Sequence, residues 1–217
     1  MILALDTATR VVSLALHDGR EVVAELSWRS VDHHSVELAP AVRDLSQRVG
    51  ISLRELRAIG VALGPGSYTG LRIGLSLAKG LAMAMTPPIP LVGVLTLDIT
   101  ATAQPHILER LCVVSQAGRG RVNAAFYRWQ RDHWAADGGP FIADWPDLAA
   151  RLDVPTQVAG EIGVAGLEIL SALGDRVRVA SGAESLRRAG FLAEIAYHRL
   201  AEDRVDDPAT LTPIYLT

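Results

Sequence analysis

The sequence predicts an α/β fold with mixed sheets flanked by helices, and three observations carry that prediction. Residues 2–5 are continuously apolar, Ile2-Leu3-Ala4-Leu5, as a strand covered on both faces should be. Through the first half, strand-like runs are joined by segments of helical period, the pattern of a largely parallel sheet with helices packed on it. Asp18-Gly19-Arg20, between two strand-like runs, is a hairpin signal that adds an antiparallel edge.

Each element follows from its residues. Residues 2–5, 11–17 and 21–27 read as strands. Leu38, Val42, Leu45 and Val49 recur at helical spacing and Gly50 closes the run, giving a helix over 35–48. Residues 58–63 form the next strand. Gly64-Pro65-Gly66-Ser67-Tyr68-Thr69-Gly70 is a loop by composition, and a helix over 71–85 follows. That helix stops before Pro87-Pro88-Ile89-Pro90, because the residue ahead of a proline resists helical geometry. Residues 90–94 suit a strand, and Thr96 caps a helix over 97–104. Beyond it, 111–115, 122–129 and 157–160 read as strands, and 144–152 and 185–203 as helices, the last begun by Ser185. The tail from Leu211 is apolar enough to dock on a domain surface. This order predicts an N-terminal domain of residues 1–105 and a C-terminal domain of 106–217.

Composition narrows the function classes. The chain is 49% hydrophobic and 21% charged, an ordinary globular balance. A net charge of −3 supplies no excess of cations for a phosphate backbone, so any nucleic acid would be met only through a partner. Cys112, the single cysteine, lies in the apolar run Leu111–Val114 and reads as a buried side chain. The start of the chain has no basic leader, and residues 73–95 are broken by Lys79, Gly80 and prolines, so a soluble cytoplasmic protein without a membrane span is expected.

The candidate sites are two. In the glycine loop, Gly64, Gly66 and Gly70 permit a sharp turn, and Ser67 or Thr69 is placed to cap the following helix; its free N–H groups also suit an anion. The loop is neither a P-loop, a dinucleotide fingerprint nor a nucleophile elbow, so a turn and a vestigial phosphate loop both stand at this level. Asp6 and Thr7, after the first strand, would cap a turn or orient a metal-bound water. The second candidate is the 71–85 helix. Leu71, Ile73, Leu75, Leu77, Leu81, Met83 and Met85 surround most of its axis, and such a helix is covered on nearly all sides. Gly74, Ala78 and Ala82 form a small-residue stripe that would admit a partner helix. With Leu38, Val42 and Leu45 of the 35–48 helix, these residues (Leu71, Gly74, Leu75, Leu77, Ala78, Leu81, Ala82) are the predicted interface; the alternative is a helix enclosed within its own subunit. Asp32-His33-His34-Ser35 has adjacent rather than i, i+4 histidines, so a cap is expected there and no metal site. No catalytic constellation and no cofactor motif is visible.

Ile2–Thr9, Val12–Leu16, His34-Ser35 with Leu38 and Pro40, Gly64–Gly74 and Pro213-Ile214-Tyr215-Leu216 resemble, in order and spacing, the TsaB family of tRNA threonylcarbamoyladenosine biosynthesis proteins. The resemblance is dense over residues 1–100. It implies a two-lobed actin and Hsp70 ATPase type fold, and a noncatalytic subunit that pairs with the catalytic paralogue TsaD and recruits the ATPase TsaE. It also implies that the two N-terminal helices form the pairing surface; a homodimer in isolation is compatible with the same surface. The catalytic relatives carry His-x-x-x-His on the first helix, whereas here Leu38 follows His34. The segment 115–123 and the final Thr217 depart from the family pattern. The alternative function is a metallopeptidase-like or nucleotide-hydrolysing enzyme of the same superfamily.

Overall fold

The computed structural model describes residues 1–30 and 34–216, so the expected cap at Asp32 and the side chain of His33 lie outside the described residues. The chain divides into two compact units, one of Met1–Ile99 with Arg188–Tyr215, the other centred on Thr100–Arg187.

Unit 1 is built on a five-stranded sheet: β1 (Ile2–Asp6), β2 (Val11–His17), β3 (Val22–Arg29), β4 (Ala58–Gly64) and β5 (Leu91–Leu95), in the order β3-β2-β1-β4-β5. The pairs β1–β2 and β2–β3 are antiparallel, and β1–β4 and β4–β5 parallel, so the sheet is mixed. Period-2 alternation divides its side chains between two cores. Leu3, Leu5, Leu14, Leu16, Ile59 and Val61 meet α1 (His34–Val49) and α2 (Tyr68–Ala84) on one face. Smaller residues, Ala4, Ala15, Ala58 and Ala62, meet α6 (Ala189–Ala201) on the other. Small side chains let α6 approach closely: a Cβ on Gly60 would lie 2.9 Å from the Ala196 methyl.

α6 is the main departure from the sequence reading, which began this helix at Ser185 and placed it in the C-terminal domain. It starts at Ala189, and its anchors are distant in sequence. The Ala189 N–H donates to Ser13 Oγ (2.9 Å), the Gly190 N–H to Glu25 Oε1 (2.7 Å), and the Arg188 guanidinium to Glu25 Oε2 (2.6 Å). Side chains of β2 and β3 thus satisfy the helix's orphan donors, the role expected of a local cap. The tail is tied to the same unit, with the Ile214 N–H donating to Leu63 O (2.7 Å) and Leu211 packed at the first core.

Unit 2 begins within α3 (Thr96–Thr102), whose last residues Thr100–Thr102 belong to it. Its sheet comprises β6 (Arg110–Gly118), β7 (Arg121–Gln130), β8 (His133–Ala136), β9 (Phe141–Asp144), β10 (Thr156–Gly160) and β11 (Val177–Val179), in the order β11-β10-β6-β7-β8 with β9 also on β7. Helices α4 (Trp145–Ala150) and α5 (Gly163–Ser171) flank it. Asp144 caps α4 by accepting from the Asp147 N–H (2.8 Å). α5 was not anticipated: no side chain caps it and it contains two glycines, one of which, Gly166, leaves room for the Trp145 ring.

Cys112 lies fully buried in the core of unit 2, and burial pushes its thiol up to about 12. The thiolate is the nucleophile, so native protein at pH 8 is expected to resist a maleimide, with one thiol reacting only after denaturation. Labelling of the native chain would contradict this burial.

Candidate functional site

The loop between β4 and α2 folds against the turn that follows β1. Ser67 has extended φ/ψ and its Oγ accepts from the Gly70 N–H (3.2 Å), which makes it the N-cap and starts α2 three residues earlier than its hydrophobic period suggests. Thr7 Oγ1 donates to Gly70 O (2.7 Å), and the Ser67 N–H donates to Ala8 O (2.6 Å). Asp6 is fully buried, and its Oδ1 accepts from the Ala8 N–H (2.9 Å), closing the turn. Only glycine fits where the two backbones meet. A Cβ on Gly66 would run into Ala8 O, one on Gly70 into Thr7 O, and one on Gly64 into Ile214 O. Thr69 stays exposed and does not cap. These contacts are those of a turn and a cap.

The two sides of α2 differ. Gly70, Leu71, Gly74, Leu75, Ala78 and Ala82 are buried. Tyr68, Arg72, Ser76, Gly80 and Met83 are exposed, with Ile73, Leu77 and Leu81 half-buried between. The predicted interface needs correction here. Leu38, Val42, Leu45, Leu71, Gly74, Leu75, Ala78 and Ala82 all face the unit's own interior; of the residues named, only Leu77 and Leu81 remain partly accessible. The small-residue stripe serves this unit's own packing, since a Cβ on Gly74 would strike Thr7 Oγ1. The reason is competition for one hydrophobic face: the sheet is the nearest apolar partner, and it takes the most regular stripe.

What remains outside is a groove of about 600 Å³ between the N-terminal halves of α1 and α2, lined by Ser35, Leu38, Ala39, Arg72, Ile73 and Leu77 among others. Met83 is 64% exposed and Val36 68% exposed on the same pair of helices. α1 is held in place by the Trp28 indole, which donates to Glu37 Oε2 (2.9 Å), and by His34 Nε2 at 3.0 Å from Thr9 O. At the lip of the groove, the Arg72 guanidinium stacks 3.9 Å over the Tyr68 ring and donates through Nε to Tyr215 Oη (3.3 Å). That hydrogen bond holds the Arg72 pKa above its ordinary value. Sequence reasoning missed Tyr68, Arg72 and Tyr215 as a group, because Tyr215 reaches them from the far end of the chain and no local pattern signals it.

His34 has no second imidazole one turn away, since Leu38 occupies that position in the core. Among the described residues, no group of three or more His, Cys, Asp or Glu can hold a metal ion, and no helix is long and apolar enough to cross a membrane. His106 stacks on Trp129 (4.5 Å between ring centroids), and Trp129 meets Trp134 edge-on, so these aromatics pack with one another within unit 2.

The chain has relatives among known proteins. It is 31% identical over 206 residues to the tRNA threonylcarbamoyladenosine biosynthesis protein TsaB of Bacillus subtilis, covering 93% of this chain and 89% of that one. The chain belongs to the TsaB family. The TsaB protein of Escherichia coli is 42% identical over 135 residues, 60% of this chain and 55% of that one. Residues 25–160 also match the family described as TsaD, tRNA N6-adenosine threonylcarbamoyltransferase, so the TsaB-type chain carries the imprint of that wider family. The solved structure of YeaZ from Pseudomonas aeruginosa superposes with a TM-score of 0.80 at 27% identity, over 99% of each chain. The ethanolamine utilization protein EutJ of Carboxydothermus hydrogenoformans shares the fold at a TM-score of 0.51 and 16% identity, over 88% of each chain. The TsaB-family chain therefore has the actin-like α/β fold predicted from its sequence.

Proposed function

We propose that this chain is a noncatalytic subunit in threonylcarbamoyladenosine modification of tRNA, pairing through the outer faces of α1 and α2 with a catalytic TsaD-type paralogue. The observation that carries this reading is the accessible apolar surface of α2: Ile73 and Leu77 line the groove against α1, and half-buried Leu81 and exposed Met83 lie further along the same helix. Apolar surface gathered on one helix pair is the usual mark of a protein partner. Family membership supplies the pathway, and the resemblance supplies the partner and the recruitment of a TsaE-type ATPase. The net charge of −3 fits a subunit that meets tRNA through its partner. Leu38 in the core, at the position where catalytic relatives carry the second histidine of their metal motif, supports the noncatalytic role. The packed glycine loop supports a turn in place of a phosphate cradle. On this reading the chain works in the cytoplasm.

The test is reconstitution. Purified chain and TsaD-type partner should form a stable complex on size-exclusion chromatography with light scattering. Threonylcarbamoyl transfer to tRNA should require both, and the chain alone should neither transfer nor hydrolyse ATP. Full transfer with the chain omitted would refute the reading.

A further inference from the structure

We propose that Arg72 is a preformed docking contact for a carboxylate on the partner's helix, held in position by the C-terminal tail. The inference rests on the pairing reading above and names the chemistry that the partner must present. Arg72 is solvent-exposed, yet it is anchored on two sides. Its guanidinium lies flat on Tyr68, and its Nε donates to Tyr215. Tyr215 in turn stacks on Tyr68, with ring centroids 5.2 Å apart and planes 30° apart. The tail that brings Tyr215 there is fixed by the Ile214–Leu63 hydrogen bond and by Gly64, where any Cβ would displace Ile214 O. An exposed arginine in water normally samples many rotamers; here that entropy is already lost before a partner arrives.

The remaining donors of this fork point to its ligand. Arg110, Arg128, Arg178 and Arg188 each have a carboxylate oxygen at 2.6–2.8 Å; Arg72, like several other surface arginines, has no ion pair among the described residues, and what sets it apart is its anchoring by Tyr68 and Tyr215. Tyr215 takes one donor, and a guanidinium offers five in a planar fork that matches a carboxylate. Directly beside it, Ile73 and Leu77 line the groove. The surface thus fits a helix with an apolar face and an Asp or Glu at its margin. Tyrosine and arginine around an apolar patch are also the residue types that concentrate binding energy at interfaces.

The experiment is calorimetric titration of the full chain with the purified TsaD-type partner at two salt concentrations. Arg72→Gln should weaken binding about tenfold and flatten its salt dependence; Tyr215→Phe, which keeps the ring stack and removes the phenol oxygen, should weaken it about threefold. Both should unfold as the wild type does, because the side chain at 72 is exposed. If Leu77→Asp destroys binding while Arg72→Gln leaves affinity and salt dependence untouched, this inference fails and the pairing reading survives. If the wild type does not bind, or Leu77→Asp binds normally, the pairing reading fails and takes this contact with it.

Discussion

Leu77→Asp is expected to weaken the complex with a TsaD-type partner by at least about a hundredfold while leaving the chain folded. Leu77 is half-buried at the groove, so a carboxylate there is still hydrated in the free protein, at a cost of about 1 kcal/mol. In the complex the same carboxylate is pressed against apolar surface without a partner, and the desolvation penalty falls on the bound state alone. Leu75→Asp, two positions away, should do something different. Leu75 is 5% exposed and packs in the core of unit 1, so an aspartate there loses the leucine's burial and adds an uncompensated charge. Together these cost more than about 4 kcal/mol, enough to unfold the unit. Size-exclusion chromatography and circular dichroism separate the two outcomes. A folded Leu77→Asp that still forms the complex would rule out this face as the pairing surface.

The second large effect concerns the glycines of α2. Gly70→Ala is expected to destabilise the protein by about 3 kcal/mol in urea unfolding, since its Cβ meets the Thr7 carbonyl and neither backbone can yield without breaking the cap. The helical conformation at Gly70 is unstrained, so the effect is steric and the side chain's size should scale it. Gly80→Ala in the same helix should raise stability by about 0.5–1 kcal/mol, because the site is open and alanine restricts the unfolded chain. Equal effects at both positions would show that helix propensity, and not the approach of β1, governs this segment.

Period and composition alone were enough for the order of strands and helices in the first hundred residues, for a loop over Gly64–Gly70 with a capping residue in it, and for the burial of Cys112; that Ser67 and not Thr69 is the cap came from the structure. These are local quantities: a covered strand, a proline stop and a serine ahead of a helix act within a few residues. The direction in which α2 turns its leucines was not local. A helix apolar on most sides has no unique inward face in one dimension, and the sheet's Leu3, Leu5 and Ile59 chose Leu75 and Ala78 for the inside. The start of α6 was likewise set from afar, by Ser13 and Glu25, and so was the anchoring of Arg72 by Tyr215. Hydrogen bonds between residues more than a hundred positions apart decide the last two features, and packing against strands outside the helix decides the first, so no local pattern contains the partners.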